Sequence, residues 1–305
     1  MDGSPEQPAE RLEKAGGSFD EMAEPLDGAH ETSTSWRRRV VKVAAESVDV
    51  VRPGHRGIVV LIYHRVGRRS SQSVDLPLAQ FDDQMAELAA SGRVVTLDRA
   101  VDLLEGREPV PALQPDPVVV TFDDGTADLA DLATPVLERH GVPATLYVAT
   151  DFVDRGLPFP DDGVALSWGA LADMVATGLW QIGSHTHTHA LLDRLADDAI
   201  ADELDRSIDL IADHVGHRPD HFAYPKALAP SPAADRAVRA RFRSAALAGT
   251  RVNRYGASDP WLLARTPIQV EDAMRWFRRK AAGGMAMEDD LRRVVNRVRY
   301  ASART

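Results

Sequence analysis

Two short stretches of this sequence hold side chains whose types and spacing suit hydrolytic chemistry. In VVVTFDDGTADL (118–129) an apolar run stops at Asp123, Asp124 and Gly125. A buried-looking strand that ends in paired carboxylates needs them capped, solvated or bound, because an unpartnered buried charge is costly. Adjacent residues leave a strand in different directions and Gly125 permits a sharp turn. One carboxylate can therefore bind a metal ion while the other takes a proton from water. Alternatively, an aspartate here caps the helix expected to start near Asp128.

The second stretch, WQIGSHTHTHALL (180–192), supplies His185, His187 and His189 after another short strand. Neutral imidazole is a preferred ligand for zinc, nickel, iron or cobalt, and three histidines in five residues favour metal binding over packing. If the chain turns helical after Gly183, His185 and His189 share a face and His187 points elsewhere. If it stays extended, all three share a face. Two histidines and one carboxylate leave coordination positions open for water and substrate, as in a catalytic metal site.

The elements around these stretches predict an α/β fold. From Ile58 onward, β-branched runs alternate with segments of helical spacing, the pattern of repeated βα units on a parallel sheet. Strands are expected at 58–64, 93–97, 117–122, 144–149, 180–185, 221–225, 243–248 and 262–270. Helices are expected at 78–91, 97–105, 127–140, 167–177, 196–215 and 232–242, with Gly141 and Gly178 at two of their ends. The count fits a single-domain, distorted or incomplete (β/α) barrel of about seven strands. Both chemical stretches end strands, where such barrels carry their active sites. No strand is followed by a glycine-rich phosphate loop, which argues against nucleotide binding.

The segment from about Ile58 to Val270 resembles the polysaccharide deacetylases, carbohydrate esterase family 4, also called the NodB-homology domain. The resemblance is carried by VLIYHRV (60–66), TFDDG (121–125), ALSWGALADMVATGLWQIGSHTHTHALL (165–192), FAYP (222–225) and LLARTPI (262–268). The YH and FAYP variants are most similar to the branch acting on poly-N-acetylglucosamine. The resemblance implies that Asp124, His185 and His189 bind a divalent metal, Zn2+ first with Co2+, Ni2+ or Fe2+ as alternatives. It makes Asp123 the general base and gives His187 no role.

FAYP corresponds to the family motif whose next residue, here Lys226, offers a backbone N–H to the oxyanion. Two departures stand out. Ala223 occupies the position where many members hold the base with an arginine, so Arg265 is the substitute candidate. No histidine follows His221 to serve as the usual C-terminal acid, which leaves His64 as the candidate proton donor. The implied activity is removal of N-acetyl groups from an N-acetylglucosamine-type glycan or another amino-sugar-containing substrate. The alternatives are a metal-dependent amidase on a non-sugar substrate and a non-catalytic carbohydrate-binding relative. Trp168 and Trp261 are read as packing residues, and 154–166 as a connection beside the metal face.

Composition narrows the classes further. The 305 residues carry a formal net charge of -10, which disfavours a nucleic-acid partner. With no cysteine, any metal falls to His, Asp and Glu. Residues 1–35 hold nine acidic and two basic residues and read as a disordered acidic tail. Residues 36–54 read as a linker with a short amphipathic helix, 55–275 as the barrel and 276–305 as a basic C-terminal helix. Neither a signal-like leader nor an apolar run of membrane-spanning length is seen, so a cytoplasmic location is expected.

Overall fold

A computed structural model describes residues 56–110 and 115–285 of the chain. The acidic tail, the amphipathic segment at 36–51 and the C-terminal region from residue 286 lie outside the described residues. Among the described residues, no helix is long and apolar enough to cross a membrane.

Ten strands are present among the described residues: β1 (Gly57–Tyr63), β2 (Arg65–Val66), β3 (Asp75–Leu76), β4 (Val118–Phe122), β5 (Ala144–Val148), β6 (Trp180–Ser184), β7 (His221–Ala223), β8 (Ser244–Ala248), β9 (Asn253–Arg254) and β10 (Leu263–Pro267). Seven of them, in the order β1, β4, β5, β6, β7, β8, β10, pair in parallel, and β10 pairs back to β1 through Val60 opposite Arg265. The barrel is therefore closed. β9 runs antiparallel along the start of β1. β1 and β4 are buried throughout, as continuous apolar runs in a parallel sheet must be when side chains pack on both faces.

Alternation along each strand separates an interior from an outer layer. Val118, Val120 and Phe122 of β4 join Leu146 and Val148 of β5 and the surrounding helices in the larger core. Val119, Tyr147, Ala223, Ala246 and Leu263 face a second cluster that contains Leu97, Ala100, Val101 and Leu104. The helix Leu97–Leu104 thus plugs the barrel at the end where the strands begin. Its Asp98 accepts hydrogen bonds from Gln181 (2.7 Å), from His221 Nε2 (3.0 Å) and from Arg243 (3.3 Å). These bonds tie the plug to β6, β7 and the start of β8.

The plug explains one departure from the sequence reading. Residues 93–97 form no strand, and Val94 makes a single bridge to Val118. The Thr96 side chain then accepts from the Arg99 amide and caps the plug helix, so extended chain gives way after one pairing. The helix expected over 127–140 begins instead with a widened π-type turn at Leu129–Ala133, followed by an α-helix at Thr134–His140. That turn ends two residues before Pro135, which has no N–H for an α-helical bond. The last helix among the described residues is Met274–Ala281. It buries Phe277 and Ala281, and Lys280 donates to Asp272 (2.7 Å) and to the Pro267 carbonyl (2.9 Å).

Candidate active site

The chemistry gathers where β4, β6 and β10 end. The Asp123 amide still donates to Tyr63 O (3.1 Å), so this residue extends the ladder beyond β4 and its side chain turns inward. The chain then bends sharply: Asp124 has φ 74°, Gly125 has φ 106°, and the Gly125 amide returns to Asp123 O (3.0 Å). A non-glycine residue with positive φ costs about 1–3 kcal/mol and persists only where the surroundings enforce it. Here the bend aims the two carboxylates at different partners. Asp123 is not a helix cap; the residue preceding the next helical turn is Asp128, which accepts from the Val66 amide (2.6 Å).

Asp123 lies in a fork–fork pair with Arg265 of β10, at 2.5 Å from Nη1 to Oδ1 and 2.9 Å from Nη2 to Oδ2. Arg265 is fully buried, and its guanidinium carbon sits 4.9 Å from the centre of the Tyr147 ring. Burial alone would raise the Asp123 carboxyl. The Arg265 charge, aided by His185, overcomes that and brings it down to about 2, so the carboxylate is ionised at neutral pH.

Space for this arrangement is made in β6. Gly183 lies opposite Tyr147 in the sheet. A Cβ at Gly183 would fall 2.6 Å from Tyr147 Cδ1 and 2.8 Å from His221 O, so only glycine lets the ring lie there over Arg265.

Asp124 faces the histidines instead. Its Oδ1 is 3.7 Å from His185 Nε2 and 3.5 Å from His189 Nε2, and one ligand atom from each residue lies within 4.8 Å of the other two. His185 Nδ1–H donates to the Ala223 carbonyl (2.8 Å), which fixes the tautomer and leaves Nε2 as the free ligand atom. Burial lowers both His185 and His189 to about 4, so both rings are neutral and ready to coordinate at neutral pH. This donor set fits a divalent cation: three convergent atoms, no thiolate, and partial exposure at Asp124 and His189.

The structure brings the two histidines together by a route different from either reading of the spacing. The segment after β6 is neither helical nor extended, because Thr186 (φ 67°) and His189 (φ 61°) adopt left-handed conformations. His187 is turned away from the cluster, its Nδ1 hydrogen-bonded to Thr150 Oγ1 (2.9 Å) and its Nε2 3.5 Å from Asp151.

Lys226 sits in the turn Pro225–Ala227 with φ 51°, and its charge contributes to the lowering of His189. His64, leaving β1, is close enough to act electrostatically on both Asp123 and His189, and its Nδ1 is buried without a hydrogen-bond partner. The connection at 154–166 runs beside this face, with the Ala127 amide donating to Val164 O (2.8 Å) and the Leu166 amide to Gly125 O (2.9 Å). Trp261 donates to Phe242 O and lies under Arg239, and Trp168 stacks on His214, so both are engaged in packing.

Comparisons with known proteins point to the family that the sequence motifs resemble. Residues 111–245 match the sequence model of the family described as polysaccharide deacetylase. A segment of 75 residues is 39% identical to a poly-β-1,6-N-acetyl-D-glucosamine N-deacetylase of Staphylococcus epidermidis, covering 24% of this chain. The match spans 25% of that relative's length. Among solved structures, IcaB from Ammonifex degensii is 28% identical with a TM-score of 0.66, over 75% of this chain and 98% of that one. The deacetylase PplD of Streptococcus pyogenes, solved with acetate, shares the fold at 20% identity and a TM-score of 0.65, over 74% of this chain and 99% of that one.

Proposed function

We propose that the chain is a member of the polysaccharide deacetylase family, whose sequence model matches residues 111–245, and that it hydrolyses N-acetyl groups of an N-acetylglucosamine-type glycan in a metal-dependent reaction. The observation that carries the proposal is the division of labour between adjacent carboxylates. Asp123 is committed to Arg265, while Asp124 faces two neutral imidazoles. A β-1,6-linked polymer is the favoured substrate, since the Staphylococcus relative is named for it.

In this reading Asp124, His185 and His189 hold the cation, most simply Zn2+, with Co2+, Ni2+ or Fe2+ compatible with the same donors. A cation held there supplies Lewis-acid polarisation of the acetyl carbonyl and of the attacking water. Asp123, kept ionised by Arg265, takes the proton as the water oxygen bonds to the carbonyl carbon. The fork from Arg265 fixes both carboxylate oxygens, so the base is oriented before substrate arrives. The backbone N–H of Lys226 is assigned to the developing oxyanion, an interaction worth roughly 3–4 kcal/mol. The C–N bond then breaks, and His64 delivers a proton to the leaving amine. Acetate and a free amino sugar result.

The test is acetate release from N-acetylglucosamine oligomers and from small N-acetyl metabolites, by the full chain before and after chelation, with Asp123→Asn alongside. The proposal expects release from oligomers that chelation abolishes and added Zn2+ restores. Turnover unaffected by chelation and by Asp123→Asn would refute it. Preference for the small metabolites would indicate an amidase acting on another class of substrate.

A further inference from the structure

Helix Asp197–Val215 reaches the loop of the candidate metal site through Glu203, besides the bond between Ser207 and Ser184 at the end of β6 (2.6 Å). Glu203 accepts from the His187 amide at 3.0 Å and from the Thr188 amide at 2.8 Å, both through Oε2. It also accepts from the Thr188 hydroxyl at 2.6 Å through Oε1. These two residues are the crest of the loop between His185 and His189. On the other side of the crest, the Thr150 amide donates to Thr186 O (3.3 Å) and the Asp151 amide to His187 O (2.9 Å), while the His187 ring bonds Thr150. The crest is therefore held from two elements, its carbonyls by one and its amides by the other.

The restraint is needed because the loop is strained. Thr186 and His189 both have positive φ, a conformation that L residues leave unless neighbours enforce it. Among the described residues His189 has no counterpart to the Ala223 bond of His185; its ring faces Asp124 from a backbone turned left-handed. A carboxylate accepting two adjacent amides and a hydroxyl is a strong restraint, since bonds to an ionised acceptor exceed those to a neutral one.

We infer that Glu203 is a positioning residue for the metal site: it clamps the 187–188 backbone in the strained form that points His189 at the cation shared with Asp124 and His185. It touches neither substrate nor the reacting atoms. The inference rests on the metal-site reading above. It also gives a use to the middle histidine of SHTHTH, His187, which pins the same crest to Thr150 and is no ligand itself.

The test measures metal affinity. Chelator-stripped full-length protein is titrated with Zn2+ against a chromophoric competitor, for wild type, Glu203→Ala and Glu203→Gln. Visible spectra of the Co2+ forms and melting curves of the metal-free forms are recorded in parallel. Glu203→Ala is expected to weaken Zn2+ binding about 10–100-fold, the usual effect of removing a group that orients a ligand, and to alter the Co2+ spectrum. Glu203→Gln keeps an acceptor oxygen for the amides and should fall between Ala and wild type. Should Glu203→Ala fail to fold, Glu203→Gln and Thr188→Val, which removes only the hydroxyl bond, decide the matter by the same titration. Wild type and variants binding Zn2+ equally tightly with the same Co2+ spectrum would overturn the clamp and leave the metal site standing. Wild type binding no metal would overturn the metal-site reading, and the clamp with it.

Discussion

Replacing Arg265 with methionine should destabilise the fold in a way that depends on pH. Arg265 and Asp123 are both buried, at 0% and 4% exposure, and form two short parallel bonds. Methionine fills much of the same volume but leaves the carboxylate without its counter-charge, and breaking a buried pair in this way costs about 3–5 kcal/mol. In wild type the Asp123 carboxyl stands at about 2 against an ordinary 3.8. A depressed carboxyl contributes stability that is present above the unfolded value and lost as pH falls through the folded value, so nothing from Asp123 changes between neutral and mildly acidic pH. In Arg265→Met the burial that pushes this carboxyl up is no longer opposed by the guanidinium. Protonation then relieves part of the deficit, which should shrink as pH is lowered from about 7 to about 5. Urea unfolding of wild type, Arg265→Met, Asp123→Asn and the double variant at both pH values checks this. The double variant should lose less than the sum of the two single losses. A deficit for Arg265→Met that stays under about 1 kcal/mol at neutral pH, or one that does not shrink in acid, would refute the pairing argument.

Three further outcomes follow from the same geometry. Gly183→Ala would push a Cβ to 2.6 Å from Tyr147, and should cost about 1–3 kcal/mol in urea unfolding and lower acetate release, because the ring that moves lies over Arg265. In the metal-free protein, His185 and His189 should titrate near 4 by NMR instead of near 6.5. The unfolded chain holds more protons between those values, so stability falls as pH drops through that window, by about 3 kcal/mol for each histidine; midpoints near 6.5 would count against buried neutral rings. Asp98→Ala removes the acceptor of His221 and Gln181 at the plugged end, and should lower stability by about 1–3 kcal/mol while Zn2+ affinity, read by competition titration, stays at the wild-type value.

What could be read from the sequence was what strand physics makes periodic. Continuous apolar runs such as GIVVLIY and VVVTF locate buried parallel strands, and a carboxylate or histidine directly after such a run must lie at the strand's end. Asp123, Asp124 and His185 are of this kind. Arg265 was legible only through the family resemblance, since an arginine within LLARTPI has no local mark of being buried against a carboxylate 142 positions away. The left-handed residues Thr186 and His189 left no signal, because threonine and histidine do not advertise positive φ as glycine does. Glu203 is one acid among many on a polar helix face, and its partners come from a loop folded back on it. Residues 93–97 misled because β-branched composition favours a strand, whereas the Thr96 cap ends it in favour of the plug helix. Gly183 within a strand was the clearest overlooked cue, since glycine at such a place marks the close approach of a neighbour.

The central claim is that Asp124, His185 and His189 converge on one catalytic cation. Anomalous diffraction at the zinc edge, from crystals of the full chain grown with Zn2+, tests it most directly. A single strong peak within bonding distance of all three side chains, absent in Asp124→Ala, is the predicted result. A peak held by other residues, or none at this site in active protein, would contradict the account.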